Sequence, residues 1–174
     1  LTMSEDRRFD GVLVPKAPGV GNPSGGSIMM NRKAAEIIFP VPASLPSEDA
    51  WMALAISLHP SLTVLHTDVV ACKWRVHEGN TSGNMTEDFA TYSKKIGDRN
   101  QALWIFRDRF HDELDSDRLA KLDAAIHCEL MRRQGNVLGI LASDLPVKER
   151  LRSLSSSNAL FYGIRRKLYS SLSG

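Results

Sequence analysis

Three short clusters bring together side chains that can do chemistry. Ser47-Glu48-Asp49-Ala50-Trp51 sets two neighbouring carboxylates directly after a helix-capping serine. A carboxylate on a rigid helix end, aimed into a cleft, can serve as a general base. The helix dipole lowers its pKa, so such a base needs partial burial or an approaching phosphate to raise it. By spacing alone, the acidic pair need do no more than complement the dipole of a first turn. The second cluster is Lys73-Trp74-Arg75-Val76-His77-Glu78-Gly79-Asn80. In a strand, alternation puts Arg75 and His77 on one face and Trp74 and Val76 on the other. An arginine beside a histidine suits a diphosphate, because the guanidinium fork matches phosphate oxygens and imidazole can donate or bind a metal. The plainer reading is a solvated strand end. The third cluster, Gly25-Gly26-Ser27, opens a strand candidate and lets backbone approach a ligand closely, although a glycine pair also serves as a simple turn.

Composition limits what these clusters can belong to. The chain has 174 residues, with 22 Lys+Arg against 20 Asp+Glu and a formal net charge of +2. That near balance excludes a nucleic-acid binder working through bulk positive field. No apolar run reaches the roughly 18 residues that cross a bilayer. Cys72 and Cys128 stand far apart without metal-ligand spacing, which fits a reducing, cytoplasmic compartment. The N-terminal Leu1-Thr2-Met3-Ser4-Glu5-Asp6 is acidic and lacks the apolar core of a signal peptide.

The elements that must position the clusters read as follows. Val12-Leu13-Val14 is a strand candidate, and the Pro- and Gly-rich stretch 15–26 is a loop. Ser27-Ile28-Met29-Met30 reads as a second strand, and Arg32 to Ile38 as a short helix stopped by Pro40. A proline loop leads to a helix capped by Ser47, running through the apolar residues Trp51 to Leu58 and ending near His59-Pro60. Leu62 to Leu65 and Val69 to Val76 are further strand candidates. From Thr86 onward helical periodicity takes over: Phe89, Tyr92, Ile96, Leu103, Ile105, Phe106 and Phe110, then Leu114, Leu119, Leu122, Ile126 and Leu130. Gly135-Asn136 interrupts, and Ser143-Asp144-Leu145-Pro146 begins another helix. The expected class is α+β, a partial α/β segment with a few strands over 1–85 followed by a mainly α-helical extension over 86–174.

The order Gly-Gly-Ser-Ile-Met-Met-Asn-Arg-Lys, a proline loop, Glu-Asp-Ala-Trp-Met-Ala-Leu, then Trp-Arg-Val-His-Glu-Gly-Asn-Thr-Ser resembles the second half of family 2 glycosyltransferases, inverting enzymes of the GT-A fold that use nucleotide sugars. The resemblance covers roughly Asn22 to Gly83 and implies a partial GT-A-like domain over 1–85. It implies that Asp49 deprotonates the acceptor hydroxyl, that Glu48 shapes the acceptor site and that Trp51 binds substrate there. It places Gly25 and Gly26 on the floor of the acceptor cleft. Arg75 and His77 match the family's Arg-x-His element near the donor diphosphate, with His77 a candidate metal contact, and Asn80 and Ser82 continue the pattern. The implied partners are a nucleotide-sugar donor and a glycan or lipid-linked acceptor in polysaccharide biosynthesis, and the implied cofactor is Mn or Mg in the complete enzyme, not necessarily held by this chain.

One departure matters. The family's nucleotide-binding half, which ends in an Asp-x-Asp metal motif, has no counterpart here. Asp115-Ser116-Asp117 lies in a helical stretch and reads as a helix cap and solvated face. The chain is therefore expected to be an acceptor-side fragment, inactive alone. An incomplete sheet would expose an edge, which makes a homodimer a further expectation. A hydrolase using Glu48 and Asp49 as its carboxyl pair fits poorly, because adjacent residues diverge while glycoside hydrolysis needs carboxyls facing each other. The alternative from another class is a non-catalytic helical binding or assembly module. In the extension, His111 and His127 read as structural, and Trp104 with Phe106 and Phe110 as core. The tail 158–172 sets Leu160, Phe161, Ile164, Leu168 and Leu172 on one stripe beside Arg165-Arg166-Lys167. Such a stripe either touches an anionic membrane peripherally or docks on the protein with its basic residues in water. Docking is the expectation.

Overall fold

The computed structural model describes residues 7–9, 12–14, 28–65 and 87–172. The chain divides into two compact units, Leu1–Asn84 and Met85–Gly174.

The expected α+β class is corrected to all-α. Of the described part, 70% is helical, and no strand forms within 28–65 or 87–172. The strand candidates Ile28–Met30 and Leu62–Leu65 are irregular backbone, because neither meets a partner strand among the described residues, and a lone run of three or four residues cannot hold a ladder. One small antiparallel hairpin, β1 (Arg7–Phe9) with β2 (Val12–Val14), is too short to make a sheet layer. The candidate Val69–Val76 lies outside the described residues.

In the first unit, α1 spans Arg32–Ile38 and α2 spans Glu48–Leu58. Asn31 starts α1: its side-chain oxygen accepts from the Ala34 N–H at 2.9 Å, satisfying one orphan donor of the first turn. Proline at position 40 stops it. Ser47 sits at the N-cap of α2 in extended conformation, but its hydroxyl makes no capping bond. The helix ends where His59 leaves helical geometry, its Nδ1 accepting from the Ser61 N–H at 3.2 Å. The two helices share a core of Ile38, Trp51, Met52 and Ala55.

In the second unit, α3 (Phe89–Phe110) and α4 (Ser116–Arg133) are joined by a turn of 3₁₀ helix, His111–Glu113. Both helices start on aspartate. Asp88 accepts from the Thr91 N–H and Asp115 from the Arg118 N–H, each at 2.9 Å, and these bonds hold both carboxyls below the usual aspartate range. Cross-links run Arg107–Asp123, Asn100–Glu129, Gly97–Arg133 and Ser93–Arg132. Rising numbers on α4 meet falling numbers on α3, so the pair is antiparallel. Three shorter helices follow: α5 (Val137–Leu141), α6 (Val147–Leu154) and α7 (Ala159–Leu172). The core holds Ala102, Phe106, Phe110, Leu114, Leu122, Cys128, Ile140 and Tyr162.

The turn between α4 and α5 depends on Gly135, whose φ is 66°. The Asn136 N–H reaches the Met131 carbonyl at 2.9 Å and the Gly135 N–H reaches Arg132 at 3.1 Å, the pair of bonds that closes a helix through a left-handed residue. A Cβ at Gly135 would meet only the Ser157 carbonyl at 3.7 Å, an ordinary contact. The cost of Gly135→Ala is therefore conformational. It should lower stability by about 1 kcal/mol, with Gly135→Asn costing less, as thermal denaturation of the two variants would show.

Candidate functional site

Of the sequence-derived site residues, Glu48, Asp49 and Trp51 lie in the described structure. They occupy the first turn of α2. Consecutive helical residues point roughly 100° apart. That divergence leaves Glu48 exposed and turns Asp49 to a half-buried position. The helix N-terminus places partial positive charge behind both carboxylates. A half-buried carboxylate on a fixed helix end can take a proton from a hydroxyl brought against it.

Trp51 anchors this turn from below. It is completely buried, and its indole N–H donates to the Ile38 carbonyl at 2.7 Å. That carbonyl belongs to the last turn of α1, where no helical N–H is available to it. The tryptophan therefore locks the end of α1 onto the start of α2. Its position is that of a core residue, and no face of it is open to a ligand. The resemblance sets it beside the acceptor; the structure sets it beneath the carboxylates that would meet one.

Gly25, Gly26, Arg75, His77, Asn80 and Ser82 lie outside the described residues. Among the described residues no group of three His, Cys, Asp or Glu could hold a metal ion. Asp115-Ser116-Asp117 caps α4: the Asp115 Oδ1 takes the Arg118 N–H and its Oδ2 pairs with the Arg118 guanidinium. Asp117 is exposed in the first turn. These residues do not fit the Mn or Mg ion that the resemblance implies. His127 is exposed, and His111, also exposed, lies 3.1 Å from the Asp112 carboxylate. Phe106 and Phe110 are buried with ring centroids 4.7 Å apart, while Trp104 is half-buried under the Arg133 guanidinium.

Among the described residues the most heavily bonded polar cluster is absent from the sequence-derived candidates. Glu129 and Arg132 are both buried in the second unit. The Glu129 carboxylate takes both arms of Arg132, at 2.6 and 2.7 Å, the Arg133 Nε at 2.8 Å and the Asn100 amide at 2.7 Å. Arg132 also donates to the Ser93 hydroxyl and the Ser156 carbonyl. Burial pushes the Glu129 carboxyl up, but the hydrogen bonds from Arg132, Arg133 and Asn100 outweigh it and leave it below the usual glutamate range. Every strong acceptor and donor here is used within the bundle, so the cluster fastens α3, α4 and the turn before α7 together. Its signal in the sequence is the spacing of Glu129 with Arg132 and Arg133, which looks the same on a solvated helix face.

Comparison of the chain with protein-family models, with curated proteins and with solved structures returned no match.

Proposed function

We propose that the first unit is the acceptor side of an inverting nucleotide-sugar glycosyltransferase that acts in the cytoplasm. The observation that carries this reading is the first turn of α2, where Asp49 stands half-buried on a helix end that Trp51 pins in place. Asp49 takes the proton of an acceptor hydroxyl; the freed oxygen forms a bond to the anomeric carbon of the donor sugar. The bond from that carbon to the nucleoside diphosphate breaks, and the diphosphate leaves with its electron pair. Glu48, exposed beside Asp49, shapes the mouth of the acceptor site. In the same reading Arg75 and His77 meet the diphosphate, and Gly25 and Gly26 leave room for the acceptor. In the same reading the chain alone does not transfer sugar, because the family's nucleotide-binding half has no counterpart in its sequence.

Titration of the isotope-labelled chain with a panel of glycan fragments, followed by amide NMR, tests this. The expected result is a set of shifts around 47–52 that weakens at least about tenfold in Asp49→Asn, since one charge-assisted hydrogen bond contributes roughly 1.5–3 kcal/mol. Shifts confined to 85–174 would overturn the reading and favour a helical binding module. Sugar transfer by the isolated chain would overturn its acceptor-only assignment.

A further inference from the structure

Helix α7 does not present its apolar stripe to the protein. Leu160, Ile164 and Leu168 follow the spacing of one helix face, yet they are 70%, 47% and 60% exposed. The helix docks by the opposite face. Tyr162, roughly 160° around the helix from Ile164, is buried, stacks on Tyr92 at 4.7 Å and donates to the Glu87 carbonyl at 2.9 Å. The expectation that the stripe would dock and its basic residues stand in water is therefore reversed in part. The Arg165 guanidinium lies over Tyr92 and Arg166 lies over Tyr162, flanking the docked face. The aliphatic residues face outward.

We propose that this face of α7 binds the surface of an anionic membrane. The charge of the helix selects the occupant. Arg165, Arg166 and Lys167 give α7 a formal charge of +3 with no acidic residue. A second copy of the chain would bring like charge against like charge. A nucleic acid would be met by aromatic platforms, whereas the exposed residues of this stripe are aliphatic. Lys167 and Arg165 border the stripe on its two sides, roughly 60° and 100° around the helix from Ile164, while Arg166 lies toward the docked face; an aliphatic stripe bordered by cations matches the boundary between acyl chains and anionic headgroups. No described helix is long and apolar enough to cross a membrane, so the contact is peripheral. Gly163 stands at the edge of the stripe, and a Cβ there would meet nothing within 4 Å; the face has open room on that side. The proposal stands on α7 alone and is independent of the transferase reading.

Co-sedimentation of the full chain with phosphatidylcholine vesicles, with and without phosphatidylglycerol, tests it. Binding to the anionic vesicles should exceed binding to the neutral ones roughly tenfold or more and should weaken as salt is raised. The double variant Leu160→Gln, Leu168→Gln changes only exposed side chains, so its circular dichroism should match the parent while its vesicle binding falls about tenfold. Gly163→Leu should bind more tightly, because it adds apolar area to the stripe and removes a helix-weakening glycine. Equal binding to both vesicle types would overturn the proposal. So would a dimer that the double variant dissociates, with no vesicle binding, since a second copy would then cover the stripe. Binding to a soluble polyanion without binding to vesicles would do the same.

Discussion

Glu129→Ala is expected to destabilise the second unit by roughly 3–5 kcal/mol, because it leaves the Arg132 guanidinium buried without its counter-charge. Both partners are almost fully buried, so neither can turn to water when the other is removed. Arg133 is the exception, with its side chain 41% exposed, and it should swing out at little cost. Arg132→Met should cost a comparable amount, since it leaves the buried carboxylate with only Arg133 and Asn100 and also removes the bonds to Ser93 and Ser156. The double variant Glu129→Leu, Arg132→Met should cost clearly less than the sum, because no orphan charge remains. Urea denaturation of the four proteins gives the comparison directly. The pH dependence has a definite sign. The native Glu129 carboxyl lies below its ordinary value of 4.5, so its contribution is complete above that pH and is lost as pH falls through the lowered native value. The gap between wild type and Glu129→Ala should therefore be widest at neutral pH and narrow on acidification below 4.5. A gap that widens in acid would show that the carboxyl is raised, and that burial outweighs its hydrogen bonds.

The same two residues show where reading from the sequence reaches its limit. Periodicity placed Leu130 with Leu122 and Ile126 on the inner face of α4. In the structure Leu130 is 41% exposed, and Cys128, Glu129 and Arg132 are inside with Leu122. The helix is turned by about one residue because a charged pair that satisfies itself can be buried, and hydropathy alone cannot distinguish that pair from a solvated one. Local signals are more direct. Pro40 ends α1, the acidic first turn and His59 bound α2, and Gly135-Asn136 divides α4 from α5, each through a capping or backbone preference that acts within a few residues. Strands were the opposite case. Ile28–Met30 and Leu62–Leu65 have suitable residues, but a strand exists only when another segment pairs with it, and none pairs with these two among the described residues. For α7 the stripe was legible and its direction was not. Tyr162 decides the direction, because a tyrosine with a carbonyl partner and another ring to stack on gains more from burial than the aliphatic face finds on this bundle. In the candidate site the Glu48-Asp49 pair and its helix start were visible, while the role of Trp51 as the anchor of that start depends on the Ile38 carbonyl thirteen residues away.

Trp51→Ala should be the most damaging single change among the described residues of the first unit, costing roughly 3–5 kcal/mol. Among the described residues the side chain is the largest one fully buried, and α1, with seven residues, has little stability of its own without it. Trp51→Phe separates the two contributions of the indole. It keeps most of the apolar volume but leaves the buried Ile38 carbonyl without its donor, which should cost about 1–3 kcal/mol. Hydrogen exchange read by NMR would locate the effect. Amides of α1 and α2 should lose protection in Trp51→Ala while those of α3 and α4 keep theirs, because the two units hold separate cores. Equal loss across 87–172 would show that the units fold as one. The consequence for the proposed chemistry is equally specific. Trp51 has no open face toward an acceptor, so in Trp51→Phe, which should remain folded, a glycan that shifts the amides of 47–52 should bind more weakly through misplacement of Asp49 alone. In that variant Asp49→Asn should then remove less binding than it does in the parent chain, since part of what the carboxylate supplies depends on a helix start held in register by the indole.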